Sequence, residues 1–210
     1  MGANPGKEQV YRVECGRGVR LDNYGSEITV SEKVYTKTRT TRLGCGGTRV
    51  GPQADAISRA FSARNASLPD LTQSRTYSDP ISSRAEILDP YGFIYLKLPK
   101  CPHYGVDVKV PVGTEVRATN KGIVALVARN FKTEGNMIIL NHGGGVFSVY
   151  MHLSKISVKE GSVIGRHEII GLSGKSCAGV REPHLHFNIR VNDVYVDPVI
   201  FIDTVNQYFK

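Results

Sequence analysis

With 210 residues, 40% of them hydrophobic and none tryptophan, the chain is long enough for one large domain or a medium domain with an extension. No apolar run approaches the roughly 20 residues of a membrane-spanning helix, and the start, Met1 to Lys7, lacks the apolar core of a secretion signal. The formal charge of +8 favours anionic partners (nucleic acid, acidic membrane or wall polymer) without choosing among them.

Residues 1–85 carry weak signals. Short β-like pieces at 11–13 and 28–30 are broken by glycines, and 35–42 is a basic, threonine-rich run that reads as a solvated strand face. Residues 43–47 form a glycine-rich loop, but Arg49 stands where a dinucleotide fingerprint needs its third glycine, which excludes that reading. Residues 54–65 fit a short amphipathic helix with Ile57, Ala60 and Phe61 on one side. Residues 67–83, rich in Ser, Thr, Asp and Pro, read as a linker.

From Ile87 the pattern changes to short β-branched strands between turn signals. A turn falls at 89–92, and strands are expected at 106–110, 115–119, 122–128, 137–140 and 146–151. Residues 141–145 supply a hairpin loop and 158–161 a turn, followed by a short strand at 168–170. A strand starts at His184, and a hairpin at 191–194 leads to Pro198. Many short strands with few helices argue for an antiparallel sandwich or barrel. Cys15, Cys45, Cys101 and Cys177 form no C-x-x-C pair, so a thioredoxin-type motif and a zinc ribbon are both excluded. Two disulfides and four free thiols both fit the spacing. Gly174, Lys175 and Ser176 imitate the end of a phosphate-binding loop, but Ile169 occupies the place of its first glycine. The glycosylation sequon at Asn65 carries little weight.

Chemistry concentrates in the histidines. His184 and His186 are two apart on a strand and therefore share a face. Such a pair reads either as a metal ligand beside a catalytic group or as two surface residues of an edge strand. His103 opens a segment that ends at Asp107. Fully extended, the two would lie about 13 Å apart, too far for ligands of one metal, so the segment has to bend, and Gly105 is where it can. Two imidazoles and a carboxylate form a common zinc set that leaves a position open for water. Ser148, Tyr150 and His152 alternate to one face of their strand, while His142 and His167 read as structural or exposed.

In combination these pieces are more specific. The His103–Asp107 segment, then Tyr150, Met151, His152 and Leu153, then His184, Leu185, His186 and Phe187, in that order on a β-rich chain, resemble the LytM/lysostaphin-type zinc metallopeptidases, which cut peptide bonds in bacterial peptidoglycan. The resemblance covers about residues 86–210 and extends to residues 105–108, 111–116, 122–124 and 170–171, and to Val196, Asp197 and Pro198. It implies a mainly β domain over 86–210, an antiparallel β-sandwich or barrel-like unit of the duplicated hybrid motif type, behind a loop-rich N-terminal extension over 1–85. It implies one zinc ion held by His103, Asp107 and His186, with His152 and His184 as catalytic histidines that handle the proton of the attacking water and hold the developing oxyanion or leaving amine. Proteases of the H-E-x-x-H type use a glutamate base. His167 and Glu168 have no second histidine after them, so imidazole takes that work here.

The implied function is hydrolysis of peptide cross-links in peptidoglycan, at the cell envelope (periplasmic or secreted) or with a phage, on a wall peptide and not on nucleic acid. The alternatives are a non-catalytic or regulatory wall-binding module on the same fold, and a stem-peptide carboxypeptidase or phage lysin. Binding-only relatives have usually lost ligands, whereas all five positions are filled here. Two residues depart from the pattern, Glu182 before Pro183 and Asn188 after Phe187, and neither is expected to touch a ligand. Cys101 and Cys177 flank the site loops and are candidates for a bridge. The N-terminal part is expected to contact the catalytic groove or the wall polymer.

Overall fold

The computed structural model describes residues 51–62, 76–82, 85–94, 102–177 and 180–209. The β-like pieces at 11–13 and 28–30, the basic run at 35–42, the glycine loop at 43–47, Asn65, Cys15, Cys45 and Cys101 lie outside them. Among the described residues the elements are α1 (Pro52–Ser62), β1 (Ile87–Asp89), β2 (Val106–Lys109), β3 (Glu115–Arg117), β4 (Gly122–Phe131), β5 (Gly135–Asn141) and β6 (Val146–Met151). They continue with β7 (Lys155–Ile156), β8 (Val163–Ile164), β9 (Ile169–Leu172), β10 (His184–Val191), β11 (Val194–Val196) and α2 (Pro198–Tyr208). The strands form the expected antiparallel sandwich. The large sheet runs β1-β2-β10-β6-β5-β4-β8, with β11 also paired to β10, and a smaller sheet runs β3-β9-β7.

Period-two alternation explains how β10 serves two faces. Leu185, Phe187 and Ile189 point to the main core, where they meet Val124, Ile138, Leu140 and Tyr150 of the large sheet and Val116, Ile156 and Ile170 of the small one. His184, His186, Asn188 and Arg190 point the other way. Their neighbours on β6 are Met151 opposite His186, Val149 opposite Asn188 and Phe147 opposite Arg190. Directly opposed residues share a face, and on this face α1 packs Ile57, Ala60 and Phe61 against Leu126, Met137, Ile139, Phe147, Val149 and Met151. Phe61 meets Phe147 edge-on at 5.2 Å, and the Arg190 guanidinium stacks over Phe61 at 4.0 Å. The helix expected from its apolar side is therefore present, and it lies on the histidine-bearing face of the sheet.

One expectation changes and one element is new. The stretch read as a linker is docked over residues 76–82. Tyr77 exchanges two hydrogen bonds with Asn206 of α2 (2.8 and 2.7 Å), Ser78 N–H donates to Thr119 O, and Ile81 is buried in the core. Its composition is polar, but two apolar side chains and a few backbone bonds are enough to hold it. The helix α2 was not expected from the sequence. Asp197 accepts from Val199 N and Ile200 N, and Pro198 occupies the first turn, where a missing N–H costs nothing. Cys177 is disulfide-bonded, while Cys101, its candidate partner, is outside the described residues. No helix of the described residues is long and apolar enough to cross a membrane.

Candidate metal centre

The register of β2 against β10 pairs Asp107 with His186, so carboxylate and imidazole meet on one face. His103 reaches them because the chain bends at Gly105. A Cβ built there would lie 2.6 Å from Phe187 O and 3.0 Å from both Asn188 Cβ and His186 Nε2, so only glycine lets β2 approach β10 this closely. The turn at 89–92 fixes the other side of His103. Its backbone pairs with Phe93 and Gly92, and its Nδ1 lies 3.1 Å from Pro90 O. A carbonyl only accepts, so Nδ1 carries the hydrogen and Nε2 presents its lone pair to the site.

Three donors converge. His103 Nε2 is 2.9 Å from His186 Nδ1 and 3.2 Å from Asp107 Oδ1, and His186 Nδ1 is 2.7 Å from the same oxygen. A tetrahedral ion with bonds of about 2.0–2.1 Å holds its donors about 3.3 Å apart. The triangle is slightly tighter than that, so a zinc-sized ion needs only small outward shifts. All three side chains are buried, and a carboxylate between two imidazole nitrogens suits a hidden divalent cation better than a dry interior. Burial pushes the Asp107 carboxyl up, but His186 and His103 outweigh it and hold it well below the usual carboxylate range. Burial pulls His103 down, yet the hydrogen bond and charge of Asp107 win and raise it, whereas burial prevails at His186 and lowers it.

His184 and His152 adjoin this triangle. His184 Nδ1 lies 2.9 Å from Glu182 O and so donates to it, leaving Nε2 facing inward, 3.6 Å from Asp107 Oδ2. The His152 ring is 5.0 Å from that of His184 and 5.9 Å from that of His186. Simple alternation would have put His152 beside Ser148 and Tyr150, which point to the main-core side of the sheet. The structure corrects this. His152 follows the end of β6 with a left-handed φ of 66°, and this turns its ring to the opposite face. Such a backbone costs a non-glycine residue about 1–2 kcal/mol and is typical of functional sites. Burial, then the neighbouring His186 and His184, keep its pKa well below the ordinary value.

Two residues that the sequence did not bring forward support the set. Gly174, from the false phosphate loop, bridges to His184, and a Cβ on it would strike Ser154 N and His152 O at 2.4 and 2.7 Å. It therefore spaces the two outer histidines. Asn188, expected to touch no ligand, lies with Nδ2 3.2 Å from His186 Nε2. Its position two residues beyond His186 on a strand was the available signal. His142 is structural and buried, held between Lys121 O and Ser148 Oγ at 2.7 Å each, and burial lowers its pKa to about 4 against a weaker opposing effect of the Lys121 carbonyl. His167 is exposed.

Residues 101–198 match peptidase family M23. The catalytic domain of the antimicrobial peptidase lysostaphin from Staphylococcus simulans is 34% identical, with a TM-score of 0.51, over 57% of this chain and 92% of that one. The chain belongs to peptidase family M23. A zinc containing peptidase from Vibrio cholerae has the same fold (TM-score 0.52, 29% identity, 59% of this chain and 38% of that chain). Among curated proteins, the peptidoglycan DD-endopeptidase ShyA of Vibrio cholerae serotype O1 is 41% identical over 90 residues, 43% of this chain. The M23 chain described here spans about a fifth of the length of that relative.

Proposed function

We propose that this chain is a zinc-dependent endopeptidase acting on the peptide cross-links of bacterial peptidoglycan at the cell envelope, with residues 86–210 as the catalytic unit and 1–85 as an extension that contributes α1 to its histidine-bearing face. The observation that carries the reading is the buried triangle of His103 Nε2, Asp107 Oδ1 and His186 Nδ1 with two further imidazoles beside it. His103, Asp107 and His186 would hold the ion. When bound, zinc supplies a Lewis acid for the scissile carbonyl and lowers the pKa of water.

The remaining work belongs to the chain. His184 Nδ1 is committed to Glu182 O, so its Nε2 is the nitrogen able to take or return a proton inside the site. His152 is kept neutral by its surroundings and faces the same space, where it is placed to take a proton or, once protonated, to hold a developing negative charge. The filled ligand and histidine positions favour an enzyme over a binding-only module. The net positive charge suits an anionic wall. The test is release of soluble fragments from purified peptidoglycan, identified by mass spectrometry. It is run with zinc, with a chelator, and with His186→Ala and His184→Ala. Release that persists with the chelator or in both variants would refute the reading.

A further inference from the structure

We propose that Asn188 is a positioning residue: it accepts a hydrogen bond from Nε2–H of His186 and so locks that ring in the tautomer whose Nδ1 is free to bind the metal. The inference rests on the zinc reading above and adds a residue to it. Its first ground is direction. Nδ1 of His186 faces His103 and Asp107 at 2.9 and 2.7 Å, so Nδ1 is the ligating atom and must be bare. A neutral imidazole with a bare Nδ1 carries its hydrogen on Nε2, and a buried N–H needs an acceptor.

The second ground is the surroundings of that N–H. His186 is buried, and the Asn188 amide 3.2 Å away is the hydrogen-bond partner of Nε2 among the described residues. Gly105 closes the same space, since a Cβ on it would lie 3.0 Å from both Nε2 and Asn188 Cβ. The third ground is Asn188 itself. It is fully buried, and its Oδ1 has no partner among the described residues while its NH2 faces the ring. Once Nδ1 binds a metal, that orientation sets two N–H groups against each other. A half-turn of the terminal amide puts Oδ1 onto Nε2–H, which satisfies both the stranded oxygen and the ring. Ligating histidines are commonly held this way, and loss of the outer partner typically costs about 10–100-fold in metal affinity.

The test compares wild type, Asn188→Leu and Asn188→Asp by competition of zinc against a chromophoric chelator, with circular dichroism to establish that each variant is folded. Asn188→Leu keeps the volume and removes the acceptor, and it should bind zinc about 10–100-fold more weakly. Asn188→Asp keeps an acceptor and should stay within about threefold of wild type or exceed it. Long-range proton–nitrogen NMR of the zinc-loaded wild type needs no variant and should show His186 protonated at Nε2. Wild type that takes up no zinc defeats the metalloenzyme reading and this inference with it. Wild type that binds one zinc while Asn188→Leu binds equally well, or a His186 ring protonated at Nδ1, overturns the inference alone.

Discussion

Replacing Gly105 with alanine adds one methyl group where the chain entering β2 lies close against β10. The new carbon would lie 2.6 Å from Phe187 O, where even a weak C–H···O contact needs about 3.3 Å, so the strands must part by about 0.7 Å. The neighbours cannot yield by rotating a flexible side chain. One is backbone, and the other two belong to buried Asn188 and His186. Overpacking of this kind costs about 1–3 kcal/mol, and the upper half of that range applies because the ladder from Val106 to Lys109 is hydrogen-bonded to β10. The same parting shifts His103 against His186, two of the residues proposed to hold the ion, so zinc affinity is expected to fall as well. Urea unfolding of the metal-free protein should show a loss of about 2–3 kcal/mol, and a zinc titration should show affinity down by at least about tenfold. Stability within about 0.5 kcal/mol of wild type together with unchanged zinc affinity would refute the close-approach argument.

The other expectations concern separate parts of the molecule. His152→Gly should be more stable than His152→Ala by about 1 kcal/mol in thermal or urea unfolding, because φ = 66° strains any side chain, and both should lose peptidase activity. His142 has a folded pKa of about 4 against an ordinary 6.5, so below pH 6.5 the unfolded chain takes up a proton that the folded chain refuses. Its contribution is therefore neutral above 6.5 and costs up to about 3 kcal/mol by pH 4. His142→Gln should flatten the stability curve in that window by a comparable amount, and an unchanged slope would refute the assignment. Ile57→Ala in α1, at 0% exposure, should cost about 2–4 kcal/mol if the helix belongs to the same cooperative unit as the sheet. A second, earlier unfolding transition in wild type would contradict that.

Much of the sandwich was legible because its strands announce themselves. β6 and the start of β10 fall where alternation and turn residues place them, and the bend at Gly105 followed from the distance two ligands can span. What escaped needed the third dimension. Period-two alternation assumes a regular strand, and it failed at His152, where one left-handed residue switches the face. Asn188 is the next residue of the His184–His186 stripe, but its contact with Nε2 depends on Gly105 closing in just before β2. The docking of residues 76–82 depends on Asn206, 129 positions away from Tyr77, and no local pattern reports such a partner.

The position of β10 in the sheet also sets when the site comes into being. This strand joins β2 to β6, yet its first residue, His184, comes 78 positions after Val106 begins β2, and the His103–His186 contact spans 83 positions. Contacts this distant close late and slowly. A nascent or truncated chain that stops between His152 and β10 holds His103, Asp107 and His152 but lacks both His184 and His186, along with the strand that would bring the rest together. A product that ends before His186 is thus without one of the three residues proposed to hold the ion, and uptake of zinc would report that synthesis has passed His186 and the sheet has closed.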